Sequence, residues 1–275
     1  MISTRAKTGW TILRISLEER LVYRADFVVA TMIRFLPVLT QILLWAAVFQ
    51  TARSDHIAGF SYHDMVAYYL LTMISRALSS MPGLSTQLAE EIRDGQVKKY
   101  LVQPVEMIGF FLLTRVAHKI VYYLTALVPF AVVIYLCRSF FPGWPSVSVM
   151  LGYFAALFMA FLLGFFIELT LGMIAFWWLE VRSLLFIFML LNFFFSGHMF
   201  PLDFLAELSE GLAFFVRLVP LQYLAYFPTV VFLGKVQGVA LVIGLCIQFG
   251  WVLVFIALSR IAFHYGVKRY SGFGG

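Results

Sequence analysis

The feature that most constrains this chain is a set of apolar runs that continue for 18 residues and more. A soluble core cannot absorb runs of that length, and they match the ~20 residues a helix needs to cross a bilayer. Strands of an outer-membrane barrel would instead alternate apolar and polar residues over about ten positions. Composition agrees: 62% of the 275 residues are hydrophobic and 12% are charged, and the mean hydropathy is +0.92. These values exclude a soluble globular enzyme, a disordered chain and a collagen-like fibre. The expected fold class is an all-α polytopic membrane protein.

Six spans are predicted, at about 27–49, 64–81, 108–137, 146–170, 183–200 and 236–262. Pro37 is expected to kink the first. Residues 1–26 precede them as an amphipathic arm in which Trp10, Leu13, Leu17 and Leu21 recur at helical spacing, with Arg14, Glu18 and Arg24 off that stripe. Such a helix lies in the membrane interface or packs on protein. The apolar stretch behind the arm is longer than the h-region of a signal peptide and lacks a small-residue cleavage site, so it reads as a retained first span. Beyond Thr170 a bent or interfacial piece is expected to end at Trp177-Trp178. Residues 201–235 hold two apolar segments broken by Asp203, Glu207, Glu210, Arg217, Pro220, Pro228 and Gly234. Neither is long enough to cross, so a re-entrant helical pair is expected before the last span. Residues 27–264 form a single membrane domain, and 265–275 a tail.

Lys and Arg fix the orientation. The arm, the 83–104 loop, the 180–182 turn and the tail carry eleven, against four in the opposite loops. Both termini are therefore expected in the cytoplasm of a bacterial-type inner membrane. The same rule accounts for the net charge of +6 without nucleic acid as a partner. Cys137 and Cys246 both lie in apolar runs, with no CxxC spacing, and read as packing residues.

Motifs for chemistry are absent from the sequence. There is no GxxxxGK[ST], no HExxH and no GxSxG, and the five histidines show no metal spacing. No catalytic residue, metal or cofactor is expected on this chain, so any work it does draws on a gradient or on another subunit. Polar residues inside spans are costly and mark functional candidates. Glu168 either faces a substrate path, pairs with a cation such as Arg76, or ties spans together near the boundary. Arg76 lies five residues before the end of span two, and Arg34 near the inner end of span one is expected to snorkel. Asn192 and Gln41 suit hydrogen bonds between helices. His198 suits either a pH-sensitive element or a structural histidine. Arg76, Glu168, Asn192 and His198 are the candidate pathway residues. A proton-coupled secondary transporter working through Glu168, or a membrane-embedded enzyme, would need no ATP.

The most informative segment is the cytoplasmic loop 84–104. Leu84, Leu88 and Ile92 sit at i, i+4 and i+8, one face of a short helix over about 85–95. Ser85 is placed to cap its start and Gly95 to end it. So short a helix is marginal alone in water and becomes stable when its apolar stripe docks on another surface.

Three stretches, Tyr62–Leu71 (YHDMVAYYLL), Glu90–Gly95 (EEIRDG) and Tyr100–Pro104 (YLVQP), resemble the membrane subunit of ABC-2 type ATP-binding-cassette exporters. That resemblance implies a coupling helix formed by Leu88, Glu90, Glu91, Ile92, Arg93, Asp94 and Gly95. It also implies a separate ATPase subunit holding ATP and Mg, and a second permease, identical or homologous, completing a dimer. The permease would export cargo, and apolar spans with few charges favour an amphipathic or hydrophobic substrate.

Overall fold

A computed structural model of the chain describes residues 2–22, 33, 36–52, 55–102, 106–141, 143, 145–178 and 180–270. The described residues are helical, with one isolated bridge between Ile57 and Phe60 and no strand. Twelve α-helices are seen among them: α1 Ile2–Val22, α2 Leu36–Ala52, α3 Tyr62–Ser79, α4 Leu84–Arg93, α5 Lys98–Val102, α6 Met107–Leu136, α7 Val147–Met173, α8 Arg182–Phe195, α9 Asp203–Leu208, α10 Glu210–Leu218, α11 Tyr226–Phe232 and α12 Gly238–Arg269. Arg24, Arg34, Pro104, most of 27–35 and the last five residues of the predicted tail lie outside the described residues.

Three stretches among the described residues are long and apolar enough to cross a membrane: Met107–Leu136, Val147–Phe176 and Gly238–Arg269. At 30 to 32 residues each they are ~45 Å long, beyond the ~30 Å of a hydrocarbon core. Leu36–Ala52 and Arg182–Phe195 are shorter apolar helices.

Several boundaries differ from the sequence expectation, each for a local reason. Pro37 lies in the helix described from Leu36 onward, and the turn before it, where the predicted kink would fall, lies outside the described residues. The fifth predicted span is helical only to Phe195; the chain turns through Ser196 and Gly197, whose φ is +76°. Residues 203–232 form three α-helices and a 3₁₀ turn at Pro220–Tyr223 instead of two segments. The break inside them is Ser209, extended at φ −164° and ψ 131°. The last helix runs to Arg269, through part of the predicted tail.

The chain divides into two compact units. The smaller comprises residues 1–42 and 97–139. There α1 packs along α6, with Gly9 close to Leu113 and Ser16 buried. Of the predicted stripe, Trp10 is 66% exposed, while Leu13 and Leu17 are half-buried on the side of Gly9 and Ser16. Tyr100 packs its ring on Phe110 and Phe111 at 5.4 and 5.6 Å between centroids.

The larger unit comprises residues 43–96 and 140–275 and is organised around α7, which packs on α12, α4, α11 and α3. Small residues let it do so. Gly152, Ala156, Ala160, Gly164 and Gly172 recur at multiples of four along α7 and all are buried. Where lipid removes the hydrophobic drive between helices, such residues let backbones approach closely and gain dispersion contacts. Helix α3 starts at a capping box: Ser61 Oγ accepts from the Asp64 N–H at 3.2 Å and the Asp64 carboxylate accepts from the Ser61 N–H at 3.1 Å.

Candidate functional site

Helix α4 carries the predicted coupling residues. Leu84, Leu88 and Ile92 are buried at 0, 0 and 4% exposure, so the stripe seen in the sequence does dock. Its surface is the end of α7 and the 3₁₀ turn Ile174–Phe176. At Gly172 an added Cβ would lie 2.9 Å from the Ser85 carbonyl oxygen and 3.1 Å from Leu88 Cβ. Ser85 is therefore not the cap: Gly83 holds the N-cap position without a side-chain bond, and Ser85 is buried in the first turn. The helix ends as predicted at Gly95. Its N–H donates to the Ile92 carbonyl at 3.2 Å and the Gln96 N–H to the Glu91 carbonyl at 2.8 Å. This is the Schellman arrangement, and the φ of +76° at residue 95 is one that glycine adopts without a Cβ penalty.

The opposite face is polar. Thr86, Gln87, Arg93, Asp94 and Gln96 are exposed, and Glu90 and Glu91 half-buried. Gln87 donates to Glu91 at 3.2 Å. Arg93 meets Asp94 at 3.0 Å, and the hydrogen bond and charge of that carboxylate, with smaller contributions from Glu90 and Glu180, raise the guanidinium above its ordinary pKa. Arg182 reaches back from the start of α8 to Glu90 at 3.4 Å. The result is a short, rigid, charged helix seated on the end of a long apolar one.

The candidate pathway residues fall in two places. Arg76, in the last turn of α3, and His198, in the turn after α8, are close enough that the Arg76 charge acts on the imidazole. The His198 ring also packs edge-on against Phe193 at 5.7 Å. Asn192 is half-buried in the last turn of α8 and its carbonyl accepts from the Ser196 N–H at 3.1 Å. Glu168 lies on α7 between Gly164 and Gly172. A Cβ on Gly164 would sit 2.0 Å from the Ser79 carbonyl oxygen, so the face of Glu168 is turned to the link between α3 and α4.

Three polar clusters escaped the sequence reading. The Tyr68 and Tyr69 hydroxyls donate to the Gly197 and Met199 carbonyls, and the Tyr226 hydroxyl donates to Asp203 at 2.8 Å, which together fix the turn after α8. Lys235 donates to the Gly59 carbonyl at 2.8 Å and lies 3.4 Å from Asp64. Gln248 is fully buried on α12 and donates through Nε2 to the Ala156 carbonyl at 2.9 Å and the Tyr223 carbonyl at 3.2 Å. The sequence did signal the last, since Gln248 is an amide in the middle of an apolar run.

Long apolar helices with small-residue packing, carrying polar residues between them, define a membrane-embedded protein. The profile of the ABC-2 family transporter protein matches residues 35–274, and the chain belongs to that family, whose members are transporter membrane subunits. No curated protein sequence matches it.

Proposed function

We propose that this chain is the permease subunit of an ATP-binding-cassette exporter. It has six spans, a re-entrant segment at 201–235 and both termini in the cytoplasm, and it pairs with a second permease and a separate ATPase subunit that binds ATP and Mg. Helix α4 is the coupling helix, and Leu88, Glu90, Glu91, Ile92, Arg93, Asp94 and Gly95 form it. The substrate is amphipathic or hydrophobic. Arg76, Asn192 and His198 are retained as pathway candidates. Glu168 is better used at the α3–α4 link.

The observation that carries the reading is the seating of α4. Its apolar stripe is buried on α7 while its charged face is open. A soluble partner gripping the open face would move a membrane helix with it, and ATP binding on that partner supplies differential contact free energy between two arrangements. Purification in lipid nanodiscs tests this. The expected result is a co-purifying subunit carrying GxxxxGK[ST], whose ATP hydrolysis is stimulated by the permease and loses that stimulation with Glu91→Lys. A chain that comes off alone, or stimulation untouched by Glu91→Lys, refutes the assignment.

A further inference from the structure

We infer that α7 is the element that moves with α4, held to it at one end and to the 220–232 segment at the other, with Gln248 as the positioning residue of the second clamp. This rests on the coupling reading of α4 for its function, though not for its geometry.

The first clamp is backbone against backbone. Ser79 ends α3 and its carbonyl oxygen occupies the space a Cβ on Gly164 would fill, 2.0 Å away. Ser85, in the first turn of α4, approaches Gly172 in the same way, with its carbonyl oxygen and Cα at 2.9 and 3.1 Å from an added Cβ. Gly164 and Gly172 are eight residues apart, about 12 Å along the helix. The link from Ser79 to Ser85 therefore runs along α7 and is seized at both ends. Contacts at backbone distance leave no compliant side chain to absorb a displacement, and packed interiors respond as rigid bodies. A push on α4 passes into α7 directly.

The second clamp lies at the other end of the same helix. The carbonyl of Ala156, sixteen residues before Gly172, accepts from Gln248, which simultaneously holds the Tyr223 carbonyl. Gly152 meets Leu241, and Gly244 leaves room for the Phe227 ring, whose Cε2 would lie 2.4 Å from an added Cβ. One amide thus joins α7, α12 and the 220–223 turn. Gln248 Oε1 is buried with no partner among the described residues. Gln248→Leu removes that orphan but leaves the Ala156 and Tyr223 carbonyls without their side-chain donor, so it loosens the clamp at some cost in stability, and an unchanged 86–151 distance in that variant reports that the fold is kept.

Spin labels on exposed or half-buried positions of the full chain in lipid nanodiscs test this, with Cys137 and Cys246 replaced by alanine. Thr86→Cys and Leu151→Cys report on the first clamp; Leu151→Cys and Gln222→Cys report on the second. Gly172→Ala is expected to shift the 86–151 distance and leave 151–222 unchanged. Gln248→Leu is expected to broaden 151–222 and leave 86–151 unchanged. With the ATPase subunit bound, neither distance changes between the nucleotide-free and vanadate-trapped states. Gln248→Leu then lowers permease-stimulated hydrolysis by about 2- to 30-fold with the subunit still attached. Either distance changing on trapping in the unsubstituted background, or full stimulation with Gln248→Leu, overturns the proposal. If no ATPase subunit binds, the coupling reading fails instead, and the two label distances without nucleotide still decide the clamps.

Discussion

The Lys235 ammonium sits 4.0 Å above the centre of the Phe60 ring, which is itself 1% exposed. The same ammonium donates to the Gly59 carbonyl and lies 3.4 Å from Asp64. One side chain thus closes the 57–61 turn against the turn between α11 and α12. Cation–π contact, a charge-assisted hydrogen bond and a partly shielded ion pair act together. Lys235→Met keeps the aliphatic stem and deletes all three. It is expected to lower stability by about 1–3 kcal/mol, read as the shift in unfolding midpoint in detergent. An unchanged midpoint would show that the clasp holds nothing.

Tyr226 anchors the turn after α8 from two directions. Its N–H donates to the Ser196 carbonyl at 2.9 Å and its hydroxyl to Asp203 at 2.8 Å. A hydrogen bond to a charged group contributes about 1.5–3 kcal/mol. Tyr226→Phe should cost that amount. Asp203→Asn should cost less, because an amide oxygen still accepts. Equal losses in thermal unfolding of the two variants would assign the bond's value to charge instead of geometry.

Gly197 is constrained twice. Its φ is +76°, and a Cβ there would lie 2.5 Å from Tyr226 Cβ and 2.8 Å from the Tyr68 hydroxyl. Gly95 shares the positive φ at a half-buried helix end. Gly95→Ala is expected to cost about 1 kcal/mol, and Gly197→Ala about 2–4 kcal/mol, since overpacking adds to the backbone penalty. The folded yield after size-exclusion chromatography should fall for Gly197→Ala and hold for Gly95→Ala. The reverse order would contradict the packing around Tyr226.

What the sequence disclosed and what it hid follow from range. The Leu84–Leu88–Ile92 stripe and the Gly95 stop are local: period and φ preference within ten residues decide them, and the structure agrees. The start of α4 is not local. Ser85 has the chemistry of a cap, yet Gly172, far along the chain, offers it a close seat and the helix begins one residue earlier. Glu168 was legible as a costly residue but not as one facing the α3–α4 link, because that depends on where Gly164 and Gly172 meet Ser79 and Ser85. Ser209 gave no sequence sign that it would split 203–218 into two helices. Gln248 was legible in principle, by the same rule that singled out Asn192.

The Glu90–Arg182 pair separates a structural from a coupling role for α4. Its side chains are 44 and 67% exposed at 3.4 Å, and exposed pairs contribute about 0–1 kcal/mol. Glu90→Arg and Arg182→Glu should each leave the unfolding midpoint nearly unchanged. Permease-stimulated ATP hydrolysis should fall with Glu90→Arg, because the charge at that position of the proposed coupling face is reversed. The double swap restores the pair within the chain but keeps the reversed charge on α4. It is therefore expected to regain no stimulation. Recovery in the double swap would mean that Glu90 acts through Arg182 inside the permease, and that the partner reads some other part of α4.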